Sequence, residues 1–472
     1  MKLTAIPDSS PLVSLRIVFR TGAAQDPPGR SGAAWMTALL LASGGSRTRT
    51  HKDILDAFFP MGVSVGSQAD KEMICFAAET HIENLDAFYE IFRSMLLDPG
   101  WRKDDFERLR EDAVNYLEVG LRGQNDEELA KEILYQRIFL DHPYHQNCAG
   151  AVSSLRALTV SDLREFYVAQ FARENLTIAL GGGYPPGFEQ RLRQDFSGLP
   201  LKARRQATIP APPPVRANEL YLVEKPARGV AISLGFPIDV RRGHPDFPAL
   251  LLASSALGQH RMSSGRLFNS MRQLRGLNYG DYAYIEYFPG GMFTLEPDPN
   301  FARSHEIFQL WIRPVERGQA HFALRLALFE LDRLVTAGLS AGEFERTRRF
   351  LPKYSNLLIK TRDAELGYAI DSEYYGIPPY PEYLRDAFNR LTLDDVNAAI
   401  RRHLRATRLK IVMVGEGLAA LRDDILANKP SPIAYNSPKP EDLLAEDAVV
   451  QALPLDIAPD NAIVVPVDSA FA

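Results

Sequence analysis

The sequence predicts an α+β protein of two similar halves, and three observations carry that prediction. Segments with the two-residue alternation of strands are interleaved in each half with segments of helical period. The order of those segments repeats at an offset of roughly 210 to 220 residues. Between the repeats, Ser197 to Arg216 holds Pro200, Pro210, Pro212, Pro213 and Pro214, which neither a helix interior nor a central strand accepts. The expected division is a first half over 1–198, a linker over 199–217, a second half over 218–430 and a tail over 431–472.

In the first half an apolar strand is expected from Leu12 to Arg20, then helices from Ala33 to Ala42 and from Lys52 to Phe59. Strands follow at Gly62 to Gln68 and Glu72 to Thr80. Helical patterns then cover Ile82 to Leu97, Lys103 to Gly120, Asp126 to Phe139 and Val160 to Gln170, before a strand at Leu176 to Leu180. The second half repeats the plan. Its strands are expected at Leu220 to Val223, Val230 to Phe236, Asn278 to Tyr287, Gly291 to Leu295 and Leu409 to Val414. Its helices are expected at Pro245 to Leu257, Arg266 to Leu274, Phe322 to Thr336, Ala341 to Phe350 and Leu393 to Leu404.

Composition narrows the function. With 46% apolar and 24% charged residues in a chain of 472, substantial cores are expected in roughly two to four domains. A net charge of -5 and the absence of any long basic run argue against a nucleic-acid partner, which needs phosphate-neutralising cations. Cys75 and Cys148 are the only cysteines, so neither a disulfide framework nor a cysteine zinc site is expected. No apolar run reaches transmembrane length, and Met1 to Asp8 leads straight into a strand, so the expected compartment is the cytoplasm, or the periplasm if a leader has been removed. From Ser431 the tail is acidic and proline-interrupted, with Lys439 its only basic residue. It reads as an extended arm lying on a surface, or as disordered chain.

Two motifs carry a family resemblance. In the first half, Phe19-Arg20-Thr21-Gly22-Ala23-Ala24-Gln25-Asp26 runs through Gly32 into Ala33-Ala34-Trp35-Met36-Thr37-Ala38-Leu39-Leu40. In the second, Arg266-Leu267-Phe268-Asn269-Ser270-Met271-Arg272-Gln273-Leu274-Arg275-Gly276-Leu277-Asn278-Tyr279 closes a helix and enters a strand. Both resemble the M16 peptidases, the family of pitrilysin, insulinase and the mitochondrial processing peptidase. The resemblance runs from about Leu12 to Gly417 and leaves out the tail. It implies two homologous α/β-sandwich halves, of the type shared with the processing peptidase and LuxS, that form half of a clamshell.

In that family the first helix begins Gly-x-Ala-His-Phe-Leu-Glu-His. Two imidazoles four residues apart share a helix face and bind zinc, and the glutamate reaches the metal-bound water. Aligned on Gly32 and Ala34, the ligand positions here are Trp35 and Leu39, and the glutamate position is Ala38. None of the three offers a lone pair to a metal. The resemblance puts the third ligand at Glu118, ahead of Asn125-Asp126-Glu127-Glu128-Leu129, but a lone carboxylate cannot replace two histidines, and Glu118 reads as a solvated helix-surface residue. His142-Pro143-Tyr144-His145 lacks helical spacing because of Pro143 and resembles a family loop with no metal role. Gly181-Gly182-Gly183 reads as a turn, since a dinucleotide fingerprint would need glycine where Pro186 stands.

The second motif implies that Arg272 and Tyr279 reach a partner's active site and hold the peptide there. The approach to it, with His260 and Arg261, departs from the glycine-rich family pattern and bears on how a peptide is admitted. The expected function is therefore a non-catalytic subunit that binds no cofactor itself and pairs with a zinc-bearing M16B subunit acting on unfolded or short peptides. The alternative is a homodimeric clamshell that binds peptides or scaffolds an assembly and cuts nothing. No Ser/His/Asp or Cys/His constellation supports an independent hydrolase.

Overall fold

The computed structural model describes residues 1–204, 208–259, 263–290 and 295–472. In chain order its strands are β1 (Lys2–Pro7), β2 (Leu12–Phe19), β3 (Val65–Ala69), β4 (Ile74–His81), β5 (Leu176–Gly182), β6 (Asn218–Glu224), β7 (Val230–Ile238), β8 (Asp281–Tyr284), β9 (Glu306–Val315), β10 (Lys410–Gly415) and β11 (Ile457–Pro466). The first sheet has the order β1-β5-β2-β4-β3 and the second β11-β6-β10-β7-β9-β8. Remove β11 and the orders are identical. The parallel pair is likewise the same in each half, β1 with β5 and β6 with β10, while the other ladders of these five-strand units run antiparallel. The two halves are thus two copies of one α+β plan.

Each sheet is covered by helices of its own half and by one helix from the other. Helix Asp126–Ile138 of the first half packs on β7, β9 and β10, and helix Arg362–Tyr375 of the second packs on β1, β2 and β5. This exchange explains why β2 is buried at seven consecutive positions, since a strand covered on both faces has no solvent side to alternate toward. It also explains a charge in the middle of that strand. Arg16 lies under the exchanged helix, where Asp363 takes its guanidinium through two bonds of 2.7 and 2.6 Å and Asn300 accepts a third at 2.7 Å.

A second pair bridges the halves more deeply. Asp70 receives Nε and Nη2 of Arg303 at 2.7 and 2.6 Å, with both side chains 1% exposed. The guanidinium carbon of Arg303 also lies 3.6 Å from the centroid of the Tyr287 ring. Beside it, Glu72 of the first half accepts from the Ser304 amide and hydroxyl and from the Tyr374 hydroxyl. A buried charge is tolerated only when paired and hydrogen-bonded, so these contacts fix how the halves sit.

Most predicted elements are present, with ends shifted by a few residues. Helix Val160–Gln170 matches its expected span, set by a capping box in which Thr159 and Asp162 satisfy each other's backbone amides. Other expectations need correction. The strand expected over Asn278 to Tyr287 is confined to Asp281–Tyr284, and of that expected over Gly291 to Leu295, residues 291–294 lie outside the described residues and Leu295 is not in a strand. Gly181 and Gly182 extend β5 instead of forming a turn. β9, although buried almost throughout, has no counterpart in the predicted list, nor do helices Phe188–Phe196, Arg362–Tyr375 and Tyr380–Arg390.

The described residues of the linker lie against the first half, held where His142 Nε2 meets the Pro210 carbonyl at 2.8 Å and the Arg173 amide bonds the Pro200 carbonyl at 2.8 Å. The tail is neither disordered nor a simple arm. It forms helix Glu441–Val450 and then β11, which pairs parallel with β6 on the outer edge of the second sheet. Beyond β11, Ala470 and Phe471 bury themselves in the first half's core.

Candidate functional site

The helix aligned with the zinc motif, Ala33–Ser43, begins at Gly32 in the left-handed region, with φ of 91°. A Cβ there would lie 2.6 Å from the Ala149 carbonyl oxygen, so backbone sign and close approach both require glycine. The Asp26 carboxylate caps this start, accepting the Gly32 amide at 2.7 Å and the Ala34 amide at 2.8 Å. Burial pushes that carboxyl up to about 7 against the pull of the two amides.

Trp35 and Leu39, one turn apart, are half-buried on the outer side of the helix, whereas Ala38 is 1% exposed. The Trp35 ring stacks on Tyr116, centroids 6.1 Å apart. Tyr116 opens a single π-helical segment, Tyr116–Leu121, that also presents Val119 to solvent and carries Glu118. Glu118 is exposed and its Oε1 pairs with Arg156 at 3.3 Å. Indole, methyl and isobutyl groups do not fit zinc, and Glu118 already has a cation. What stands on this side of the helix is a set of apolar side chains with the Trp35–Tyr116 stack among them.

The second motif lies in another part of the chain. A π-helical segment, Phe268–Gln273, is anchored by buried Leu267 and Met271 and ends at Gly276, with φ of 68°. The chain reverses there, with the Gly276 amide on the Arg272 carbonyl and the Leu277 amide on the Met271 carbonyl, each at 3.0 Å. This reversal brings Tyr279 back beside Arg272, whose guanidinium carbon sits 4.1 Å from the Tyr279 centroid and 4.8 Å from that of Phe268. Tyr279 is 70% exposed. Arg272 is half-buried, and among the described residues neither its guanidinium nor the Tyr279 hydroxyl has a hydrogen-bond partner.

Supports behind the pair are polar and specific. Asn278 donates to Asp281 Oδ1 at 2.6 Å and to the Arg313 carbonyl at 3.0 Å, which holds the strand entry next to Tyr279. Burial pushes Asp281 up to about 8, and its Oδ2 has no partner among the described residues. Arg266 forks onto Glu343 at the opening of the motif; burial opposes the charge, but Arg266 and Ser340 hold the Glu343 carboxyl at about 2. His260 and Arg261 lie outside the described residues.

Sequence reasoning named Trp35, Ala38, Leu39, Glu118, Arg272 and Tyr279 but missed the residues that position them. Asp26 carries no capping signal in the sequence, because it stands six residues ahead of Gly32 and reaches the helix start only through the fold of the intervening loop. Tyr116 as the partner of Trp35 had no sequence signal, because a π-helical segment changes which residues share a face.

Among the described residues, one grouping places metal-type ligand atoms within 4.8 Å of one another: His244, Asp246 and His403. Its atoms are already in use. His244 Nδ1 accepts the Asp246 amide at 3.0 Å, which leaves the proton of a neutral ring on Nε2, and Asp246 Oδ2 is shared between His403 and Arg402. The cluster ties the start of helix Phe247–Gly258 to the end of helix Leu393–His403. His142 is likewise engaged at both nitrogens, by the Tyr144 amide and the Pro210 carbonyl.

Comparison with known proteins gives a consistent picture. A family model described as Insulinase (Peptidase family M16) matches residues 3–151, and one described as Peptidase M16 inactive domain matches residues 157–351. A Mycobacterium leprae protein named as an uncharacterized zinc protease is 27% identical over 261 residues, covering 55% of this chain and 57% of its own length. The alignment thus spans just over half of that relative. The Helicobacter pylori protein named non-peptidase homolog YmxG is 20% identical over 411 residues, 86% of this chain and 89% of its own. Among solved structures, a peptidase M16 inactive domain from Pseudomonas fluorescens matches with a TM-score of 0.76 at 22% identity, covering 88% of this chain and 95% of that one. A protease from Helicobacter pylori matches with a TM-score of 0.71 at 15% identity, covering 88% and 96%.

Proposed function

This chain belongs to peptidase family M16, and from that premise we propose that it is the non-catalytic subunit of a two-chain peptidase, completing the substrate site of a zinc-bearing M16B partner. The observation that carries the reading is the contrast between the two motifs. The metal positions hold Trp35, Ala38 and Leu39, while Tyr279, exposed, and Arg272, half-buried, stand together, with no hydrogen-bond partner for the phenol or the guanidinium among the described residues.

The chemistry follows from the donors. A guanidinium and a phenol both donate to a peptide carbonyl oxygen, and the same donors strengthen their hold as negative charge grows on that oxygen during cleavage. Stacking on Tyr279 keeps the Arg272 side chain from wandering, at an expected strength of about 0.5–1 kcal/mol for an exposed pair. Zinc and the residues that bind it belong, on this reading, to the partner. A chamber that takes only extended chain selects unfolded or short peptides.

Peptide cleavage and zinc content, measured for the isolated chain and for the chain co-purified from its native host, test the proposal. Expected are no cleavage and negligible zinc alone, with both present in a complex. Cleavage by the isolated chain would overturn it. The apolar surface of Trp35, Leu39, Tyr116 and Val119 favours a second reading, a homodimer that binds peptides without cutting them. Self-association with peptide binding and no zinc-bearing partner would select it.

A further inference from the structure

The tail packs against the segment that carries Arg272, and we propose that it is a clasp that positions the Arg272–Tyr279 pair for peptide capture. The inference rests on the reading that Arg272 and Tyr279 bind the peptide. Arg275, one turn beyond Arg272, has a side chain with no solvent exposure. Its charge is met almost entirely from the tail: Nε donates to Asp447 Oδ1 at 2.7 Å and Nη2 to Glu446 Oε1 at 2.8 Å, and Nη1 takes the Ser270 carbonyl at 3.0 Å.

Two further tail residues reinforce the contact. Lys439 Nζ donates to the Leu274 carbonyl at 2.6 Å, one of the unpaired carbonyls that end a helix. The Tyr435 hydroxyl donates to the other Asp447 oxygen at 2.6 Å. The acidic character of helix Glu441–Val450 thus has a local counterpart in a buried arginine, and the Lys439 cation meets the carbonyl end of the segment that carries Arg272.

The same tail is tethered at its far end to the first half. The Val152 amide donates to the Phe471 carbonyl at 2.9 Å, and Arg122, directly after the π-helical segment with Tyr116 and Glu118, donates to the Ala470 carbonyl at 2.5 Å. One segment therefore braces both motif regions. Loss of Glu446 and Asp447 leaves Arg275 as a buried charge without counterions, a state relieved by swinging it out and loosening 268–279.

The test uses full-length chain, fluorescein-labelled β-casein as an unfolded probe, and hydrogen exchange of peptides covering 268–280. The neutral isosteres Glu446→Gln/Asp447→Asn are expected to weaken casein binding about tenfold and to speed exchange over 268–280. In an Arg272→Ala/Tyr279→Ala background the same tail changes should weaken binding no further, because a clasp acts through the pair. Equal weakening in both backgrounds, or unchanged exchange over 268–280, overturns the proposal. If Glu446→Gln/Asp447→Asn does not fold, Lys439→Ala, at a half-buried position, is judged by the same two readouts. If wild-type chain does not bind casein, the peptide-binding reading fails with this probe, and the exchange result alone decides whether the clasp exists.

Discussion

Arg272 and Tyr279 form one stack across a chain reversal, the guanidinium carbon 4.1 Å from the ring centroid, so the arginine's charge and the tyrosine's ring lie in direct contact. The reversal is made at Gly276, whose positive φ lets the helix end without strain. The pair should behave as a unit.

Replacing both by alanine is expected to cut kcat/KM of the co-purified complex about 100-fold or more while leaving assembly intact, the scale seen when an oxyanion donor is lost. Tyr279→Phe keeps the stack and removes only the hydroxyl, so it should cost less than Tyr279→Ala. Equal activity of all variants in a peptide-cleavage assay would remove the pair from the mechanism.

Asp70 and Arg303 predict a stability effect. Asp70→Ala leaves a guanidinium buried without its carboxylate, with an expected loss of about 3–5 kcal/mol in urea unfolding. Because the pair joins the two halves, the loss should appear in the unfolding of both.

Asp281 predicts a pH dependence. Its carboxyl is raised from 3.8 to about 8 by burial, so the folded chain holds a proton that the unfolded chain releases. Stability from this group is complete below about pH 4 and falls as pH rises toward 8, where ionisation must be paid for inside the fold. Asp281→Asn mimics the protonated form. Its unfolding free energy should match wild type near pH 4 and exceed it near pH 8, by on the order of 5 kcal/mol. A constant difference across that range would contradict the burial argument.

Restoring ligands should be only partly possible. Trp35→His with Leu39→His recreates an i, i+4 imidazole pair on an accessible face, and weak zinc binding by calorimetry is expected. Ala38→Glu puts a carboxylate where the side chain is 1% exposed, and a drop of about 2 kcal/mol or more in stability is expected without metal.

The fold was legible where local period and caps agree with packing, as in Val160–Gln170 with its Thr159 and Asp162 cap. It was illegible where tertiary cover decides. β9 is buried on nearly every residue because helix Asp126–Ile138 crosses to it from the other half, so it lacks the alternation that marks a half-exposed strand. At the site, the pattern Arg266 to Tyr279 named the pair, but nothing in it reveals that Glu446 and Asp447 lie behind Arg275. Their acidic, proline-bounded run resembles disordered chain until its buried counter-charge is known.

The crossing helices bear on how the molecule can be cut. Helix Asp126–Ile138 completes the second sheet and Arg362–Tyr375 the first, so severing the peptide bond within the linker would not free two domains. Each fragment would hold a piece of the other's wall. Separately produced fragments are therefore poor candidates for independent folding, whereas a nicked chain should elute as one particle and fragments refolded together should reassemble, which makes the linker a natural place to split this protein for complementation.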